Sequence, residues 1–231
     1  MVDERERKDY YQRLFLEELK KVDSSQEKPT LFLHACCGPC LTYPLSILID
    51  HFQVTVGFFN PNIQPLEEYN KRLKTLEDFL VRYGKDKGAT IPLVVNEEDF
   101  LAYEKAFEER KNDREGGNTC LKCHAYRLNL AYRYAYLHHY DYFTTVMTVS
   151  CKKPSRELNE IAERLAKVYS STKYLYSDFK KDDGQLKGIR IAKEYQLYRQ
   201  NYCGCLVSLK EREDYINRKK AQSEKDLRML E

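Results

Sequence analysis

Seven of the eight cysteines in this 231-residue chain fall into three short clusters. The clusters are C-C-x-x-C at Cys36, Cys37 and Cys40, C-x-x-C at Cys120 and Cys123, and C-x-C at Cys203 and Cys205. Reducing conditions inside cells disfavour structural disulfides, so cysteines grouped in this way indicate metal binding or redox chemistry. The eighth cysteine, Cys151, stands alone and is interpreted as a small buried apolar side chain without a function.

Three kinds of chemistry fit these spacings. Four thiolates from two pairs would form a tetrahedral structural zinc site. The segment Cys37-Gly-Pro-Cys40 has the form of a thiol–disulfide exchange motif. An iron–sulfur centre needs several converging thiolates, and we favour it because one closed zinc site does not use seven cysteines. The residues alone leave the other two interpretations open.

Glycine between Cys203 and Cys205 helps the backbone to form a disulfide between them, although such a disulfide is strained. Strained disulfides are easily reduced and tend to be redox-active rather than structural. The alternative interpretation is that both cysteines are further metal ligands.

The order of apolar segments predicts the elements that position these cysteines. Strands are predicted at 30–35, 54–59, 91–95, 141–149 and 174–176, with amphipathic helices between them. Alternating strands and helices are typical of a parallel α/β sheet with right-handed crossovers. Cys36 and Cys37 then lie just past the carboxyl end of the first strand, where open α/β sheets place their ligands. Cys120 and Cys123 lie at the start of a helix, whose amide groups favour thiolates.

Composition predicts one ordinary globular α/β domain over residues 1–231. Hydrophobic residues make up 42% and charged residues 32% of the chain, and the net charge is only +3. No apolar run approaches the roughly 20 residues that span a bilayer, and the charged N-terminus is unlike a secretory signal. We therefore expect a cytoplasmic protein with no membrane partner. Nucleotide-binding glycine motifs are absent.

Six motifs together resemble epoxyqueuosine reductases of the QueH type over about residues 29–206. They are LFLHACCGPC, FFNPNIQPLEEYNKRL, EGGNTCLKCHAYRL, DYFTTVMTVS, SDFKKDDG and LYRQNYCGC. The resemblance implies a Rossmann-like (HUP-like) parallel sheet flanked by helices, with helical extensions at 1–25 and 207–231. It also implies the final step of queuosine biosynthesis, the two-electron reduction of epoxyqueuosine to queuosine at the wobble base of a tRNA anticodon.

The resemblance implies roles for particular residues as well. A [4Fe-4S] cluster is expected on Cys36, Cys37, Cys120 and Cys123, with an additional mononuclear iron beside it. Cys203 and Cys205 match the redox-active pair of that family, and Asp178 is a candidate ligand of the single iron. Tyr202 or His34 is a candidate proton donor. The electron donor is unidentified.

A cluster of basic residues between 179 and 199 favours contact with tRNA phosphates, although a solvated helix face explains it equally well. The candidates are Lys180, Lys181, Lys187 and Arg190. Two alternative functions remain open, a zinc-stabilised RNA-binding module and a thiol–disulfide oxidoreductase.

Overall fold

The structure is a computed structural model that describes residue 5 and residues 7–96, 100–108 and 113–228. Within these residues, five parallel strands form one sheet in the order β3-β2-β1-β4-β5. The strands are β1 (Thr30–Ala35), β2 (Gln53–Phe58), β3 (Leu93–Val95), β4 (Tyr142–Thr145) and β5 (Lys173–Tyr174). From β1 the chain adds β2 and β3 on one side of the sheet and then β4 and β5 on the other side. The strand order therefore reverses between β1 and β4.

Helices connect and flank these strands. They are α1 (Tyr10–Asp23), α2 (Gly38–Leu48), α3 (Leu66–Lys87), α4 (Phe100–Ala106), α5 (Asn118–Leu137), α6 (Ser155–Ala166), α7 (Gly184–Glu194) and α8 (Leu206–Arg228). Side chains alternate across β1, with Leu31 and Leu33 in one apolar cluster and Phe32 in the other. The sheet is thus covered on both faces, and the predicted α/β class is confirmed.

Several predicted boundaries were wrong, and among the strands β3 begins at Leu93 instead of 91 and β5 ends at Tyr174 instead of 176. The fourth strand ends at Thr145, because its hydroxyl accepts a hydrogen bond from the Met147 N–H and caps a 3-10 turn over Val146–Val149. Helix α3 continues past Gly84 and ends at the left-handed Gly88. Val168, predicted to face inward, follows the end of α6 and is 67% exposed.

Two further predictions concern the helix at 97–110 and the absence of membrane-spanning segments. The helix predicted at 97–110 is shorter in the structure, because α4 ends at Ala106 and residues 107–108 lie beyond it. Positions 97–99 and 109–110 lie outside the described residues. None of the helices in the described ranges combines the length and the apolar character needed to cross a membrane.

Helix α1 is tied to the sheet by the buried carboxylate of Glu18. Its oxygen Oε1 accepts hydrogen bonds from the Tyr142 hydroxyl at 2.7 Å and the Lys173 ammonium at 2.5 Å. Burial alone would raise the pKa of Glu18, but these two hydrogen bonds bring the pKa below the ordinary value of a glutamic acid.

We expect Glu18→Gln to lower the free energy of unfolding by about 1 kcal/mol at pH 7, a modest value because Lys173 is half exposed. A lowered carboxyl pKa stabilises the fold above the unfolded-state pKa, and this contribution is lost as the pH falls through the folded-state pKa. Urea unfolding at pH 7 and at about pH 3 should therefore show the difference from wild type shrinking at low pH. Glu17→Gln, an exposed change on the same helix, is the control. An equal difference at both pH values would contradict this interpretation.

Candidate metal and redox site

The first cysteine cluster lies at the carboxyl edge of the sheet. Cys36 directly follows β1, Cys37 precedes the first residue of α2, and Cys40 lies in the first turn of that helix. The three sulfur atoms all lie within 4.8 Å of one another, and this is the one such compact group of potential metal ligands among the described residues. The Gln200 side-chain amide donates to the Cys37 sulfur at 2.9 Å. A soft metal centre would find three thiolates converging here.

The three thiols of this cluster differ in their pKa values. Hydrogen bonds from Cys37 and Cys40 hold the pKa of Cys36 well below the ordinary thiol value. Burial first, and the neighbouring Cys36 second, raises the pKa of Cys37 to about 12. The pKa of Cys40 is raised as well, by its contacts with Cys36 and Cys37. The cluster is thus arranged as one thiolate held by two thiols, and further thiolates require a neighbouring cation.

The second cluster begins helix α5. The Cys120 sulfur accepts a hydrogen bond from the Gly116 N–H at 3.1 Å, and the Cys123 sulfur accepts one from the Tyr103 hydroxyl at 3.1 Å. Burial raises the pKa of Cys123 to about 11. Donors outside α5 therefore hold both sulfurs, and the raised pKa of Cys123 contradicts the expectation that the start of the helix favours its thiolate.

One cavity of about 360 Å³ joins the three clusters, because Cys36, Cys120 and Cys203 all line it. We call this space the cysteine cavity. Lys153 lines it too and is half-buried. Burial alone would lower the pKa of Lys153, but electrostatic interaction with the sulfurs of Cys203, Cys36 and Cys40 raises it overall. A cation is thus maintained beside the sulfurs.

A second cation, Arg127, lies in the interior with only 1% of its surface exposed. It follows Cys123 by one helical turn and donates to the Asn60 side-chain oxygen at 2.5 Å. Asn60 in turn donates to the Ala35 carbonyl, immediately before Cys36, at 2.9 Å. Arg127 Nε has no hydrogen-bond partner among the described residues. This buried cation, linked to both halves of the site and not fully satisfied by protein groups, suits an anionic thiolate-bound centre.

The side chain of Arg72 holds the third cluster by binding backbone carbonyl groups around Cys203. This arginine is 1% exposed and donates to the carbonyl oxygens of Cys203 at 2.9 Å and Tyr202 at 3.2 Å. Its Nε also donates to Glu68 at 2.7 Å. The Gly204 carbonyl accepts from the Gln64 N–H at 2.8 Å. The segment around Cys203 and Cys205 is therefore anchored at three consecutive carbonyls.

Gly204 itself requires glycine. Its φ of +141° is a conformation that side chains rarely allow, and a Cβ atom there would lie 3.0 Å from Asn62 Nδ2 and 3.1 Å from Ile63 Cγ1. We expect Gly204→Ala to lower the free energy of unfolding by about 1–3 kcal/mol and to impair disulfide formation between Cys203 and Cys205.

Gly88→Ala is the matched control, since Gly88 also has positive φ but open space around its Cα. Urea unfolding and thiol titration after mild oxidation measure both effects. Equal losses of stability in the two variants, with disulfide formation unchanged, would show that the contacts of Gly204 do not matter.

A family model described as epoxyqueuosine reductase QueH matches residues 31–211. The epoxyqueuosine reductase QueH of Streptococcus pyogenes serotype M1 is 35% identical over 202 residues, covering 87% of this chain and 78% of the relative. The proteins of the same name from Staphylococcus epidermidis and Staphylococcus aureus are 33% and 34% identical, covering 86% and 82% of this chain and 84% and 81% of the relatives. The chain belongs to the epoxyqueuosine reductase QueH family. As a member of that family it is an oxidoreductase.

Among solved structures, the U34-tRNA thiolase NcsA from Methanococcus maripaludis with its [4Fe-4S] cluster aligns with a TM-score of 0.46 and 13% identity. The alignment covers 91% of this chain and 74% of the thiolase. No conclusion about this QueH-family chain rests on that likeness.

In this QueH-family protein, the side chains of both proton-donor candidates form hydrogen bonds with other protein groups. The His34 ring contacts the Thr145 hydroxyl at 3.0 Å and the Phe59 carbonyl at 3.1 Å. Burial, followed by the charge of Arg127, lowers the pKa of His34 to about 3. The Tyr202 hydroxyl donates to the Gln64 carbonyl at 2.6 Å, although Tyr202 lines the cysteine cavity. Their catalytic roles stay predictions, and these contacts favour structural roles for both.

Asp178 and Lys180 form an ion pair with each other and do not line the cysteine cavity. The Asp178 carboxylate accepts from the Ser155 hydroxyl at 2.8 Å and pairs with the Lys180 ammonium at 3.2 Å. Neither residue is among those lining the cysteine cavity. Iron ligation by Asp178 and phosphate contact by Lys180 stay predictions without a supporting contact. Of the other basic candidates, Lys181 is half-buried and Lys187 and Arg190 are exposed.

Proposed function

We propose that this QueH-family protein reduces epoxyqueuosine to queuosine at the wobble position of a tRNA anticodon. The observation that carries the proposal is that one cysteine from each of three clusters, distant in the chain, lines a single cavity. A lone C-x-x-C exchange motif needs none of this convergence. With a tRNA as substrate, we expect the protein to work in the cytoplasm.

We infer that this part of the protein would hold a [4Fe-4S] cluster, because Cys36 and Cys120 line the cavity and Cys37 and Cys123 lie close to them in the chain. We assign Cys36, Cys37, Cys120 and Cys123 as its ligands, and the compactness of the first cluster adds Cys40 as a further donor for it or for an additional mononuclear iron. Arg127, buried with an unsatisfied Nε, supplies compensating positive charge. When bound, the iron centre supplies single electrons and a Lewis acid for the epoxide oxygen.

The protein residues supply the remaining requirements of the reaction. Removing the epoxide oxygen as water takes two electrons and two protons. When the Cys203–Cys205 dithiol closes to a disulfide, it releases two electrons and two protons. The pair therefore supplies what the reaction consumes, and no proton from His34 or Tyr202 is needed. Lys153 provides a cation in the cavity for the oxygen as negative charge develops on it. An external donor then returns two electrons to the disulfide.

Binding of tRNA should be largely electrostatic, because phosphates dominate the affinity of proteins for nucleic acids. We expect Lys187→Ala with Arg190→Ala on α7 to weaken tRNA binding about ten-fold and to reduce the slope of log K against log salt by about 1–2. Filter binding across a salt series measures both quantities.

The matched control replaces Lys85 and Lys87, two exposed lysines in the last turn of α3, with alanine. Equal weakening in the control would show a diffuse charge effect, and no weakening in the α7 variant would place the tRNA elsewhere.

A zinc-stabilised RNA-binding module and a thiol–disulfide oxidoreductase are the alternatives. Metal and acid-labile sulfide analysis of anaerobically purified protein separates the three. The proposed reductase contains iron and sulfide, the module contains zinc without sulfide, and the thiol oxidoreductase contains neither.

A further inference from the structure

The two cysteines of the C-G-C segment line different cavities. Cys203 lines the cysteine cavity, whereas Cys205 lines a second cavity of about 550 Å³ that shares none of its described lining residues with the first. We call the second cavity the Cys205 groove. Its lining includes Leu101, Tyr103, Phe107, Leu206 and Val207.

The Cys205 groove is open to solvent, and its lining combines apolar side chains with the polar or charged side chains of Gln64, Glu104, Lys105 and Glu108. Leu101 is 78% exposed and Leu206 is 51% exposed, and the rings of Tyr103 and Phe107 stack at 4.6 Å between centroids. Single exposed leucines are ordinary on protein surfaces, but these two border a cavity that contains a sulfur. Cys205 itself is 6% exposed, at the start of α8, where the Ser208 N–H lies 3.5 Å from its sulfur.

We propose that the Cys205 groove is the docking site of a protein dithiol that regenerates the Cys203–Cys205 pair. This inference rests on the redox role that the proposed function gives to the pair. After each reaction the pair is a disulfide, and a tRNA in the cysteine cavity covers the Cys203 side. The Cys205 side opens to another cavity, so reduction does not require the tRNA to leave first.

The exchange balances without a further reactant. A thiolate of the incoming dithiol attacks the Cys205 sulfur, the Cys203–Cys205 bond breaks, and Cys203 leaves as a thiolate that takes up a proton. The second thiol of the donor then attacks its own mixed disulfide, releases Cys205 as a thiol and leaves the donor oxidised. The disulfide gains two electrons and two protons, and the donor loses the same number.

Direct contact between sulfurs is what distinguishes this donor from a one-electron carrier. Thiol–disulfide exchange requires the attacking sulfur to reach its target along an open path. A one-electron carrier does not need a cysteine on its docking surface, and Cys205 is the one cysteine among the described residues that line the groove. The placement of Cys205 on the groove favours the dithiol.

The test traps the exchange intermediate. The full-length protein is oxidised with glutathione disulfide and mixed with a small C-x-x-C dithiol protein whose second cysteine is replaced by serine, so that the mixed disulfide persists. Peptide mass spectrometry should locate it on Cys205. Leu101→Glu, a change at an exposed position that preserves the fold, should slow trapping about five-fold or more, and Leu206→Glu should add to this. Leu137→Glu, at a 56% exposed leucine at the end of α5, should not slow it.

Trapping on Cys203, trapping at the same rate in all variants, or no trapping would overturn the proposal. Efficient reduction of the enzyme by a one-electron donor protein that the Leu101→Glu change blocks, with no mixed disulfide, would assign the groove to that donor instead. A single-turnover assay with chemically pre-reduced enzyme and tRNA containing epoxyqueuosine is run in parallel. Its failure would overturn the proposed function, whereas trapping reports on the groove alone.

Discussion

Replacing Cys203 and Cys205 together with serine is expected to abolish turnover and to leave the visible iron–sulfur absorbance intact. The pair carries two electrons and two protons for the reaction, so we expect the rate to fall by at least ~10³-fold, as on loss of other covalently acting residues. The cluster is retained because its assigned ligands lie in the other two cysteine clusters. Nucleoside analysis of tRNA and absorbance spectroscopy measure the two quantities.

The two single variants test whether Cys203 and Cys205 act as one unit. Cys203→Ser and Cys205→Ser each remove the disulfide, so each should be as inactive as the double variant, since effects within one functional unit are not additive. Full turnover in the double variant would contradict electron storage by this pair. Loss of absorbance along with activity would instead make Cys203 or Cys205 a ligand of the iron centre.

The second large effect is expected at Cys36. This residue is the thiolate at the centre of the compact group and also lines the cysteine cavity. We expect Cys36→Ser to remove most of the cluster iron and at least ~10³-fold of the activity, because a hydroxyl is a poor substitute for a thiolate ligand of iron. Iron and sulfide analysis after anaerobic purification measures the loss.

Two further serine variants serve as comparisons. The prediction that Cys151 is buried was wrong, because this cysteine is exposed and lines the cysteine cavity. It lies outside the three clusters, so Cys151→Ser should keep the full iron content. Cys40→Ser decides the role that the structure newly suggests for Cys40, since loss of a single iron with retention of sulfide would make it a ligand of the mononuclear iron. Retention of the full cluster in Cys36→Ser would contradict the ligand assignment.

The fold could be predicted from the sequence because its signals are local. Short apolar runs alternate with amphipathic segments, and this pattern alone predicts a parallel sheet with Cys36 and Cys37 at its carboxyl edge. Boundaries depended on tertiary contacts and were less accurate. Gly84 lies inside α3 although glycine often ends a helix. Its glycine identity comes from a tertiary contact, because a Cβ there would lie 2.5 Å from the Ala89 carbonyl oxygen.

The candidate site was only partly predictable. Cysteine spacing identified the clusters, but the two buried arginines, Arg72 and Arg127, were missed. Arg127 has one local signal, its spacing of one helical turn from Cys123. Arg72 has none, since its partners Tyr202 and Cys203 lie about 130 residues away in the chain. The spacing of Cys37 and Cys40 suggested an exchange motif, whereas their sulfurs form one group with that of Cys36.

Conversion of the tRNA base tests the proposed activity most directly. The anaerobically purified protein, with its iron and a low-potential chemical reductant, is incubated with tRNA that contains epoxyqueuosine, and the digested nucleosides are identified by mass spectrometry. We expect loss of the epoxyqueuosine nucleoside with stoichiometric appearance of queuosine, which is lighter by one oxygen atom, and no conversion by the Cys36→Ser variant. Unchanged epoxyqueuosine in the presence of iron-loaded, reduced wild-type protein would contradict the proposed function.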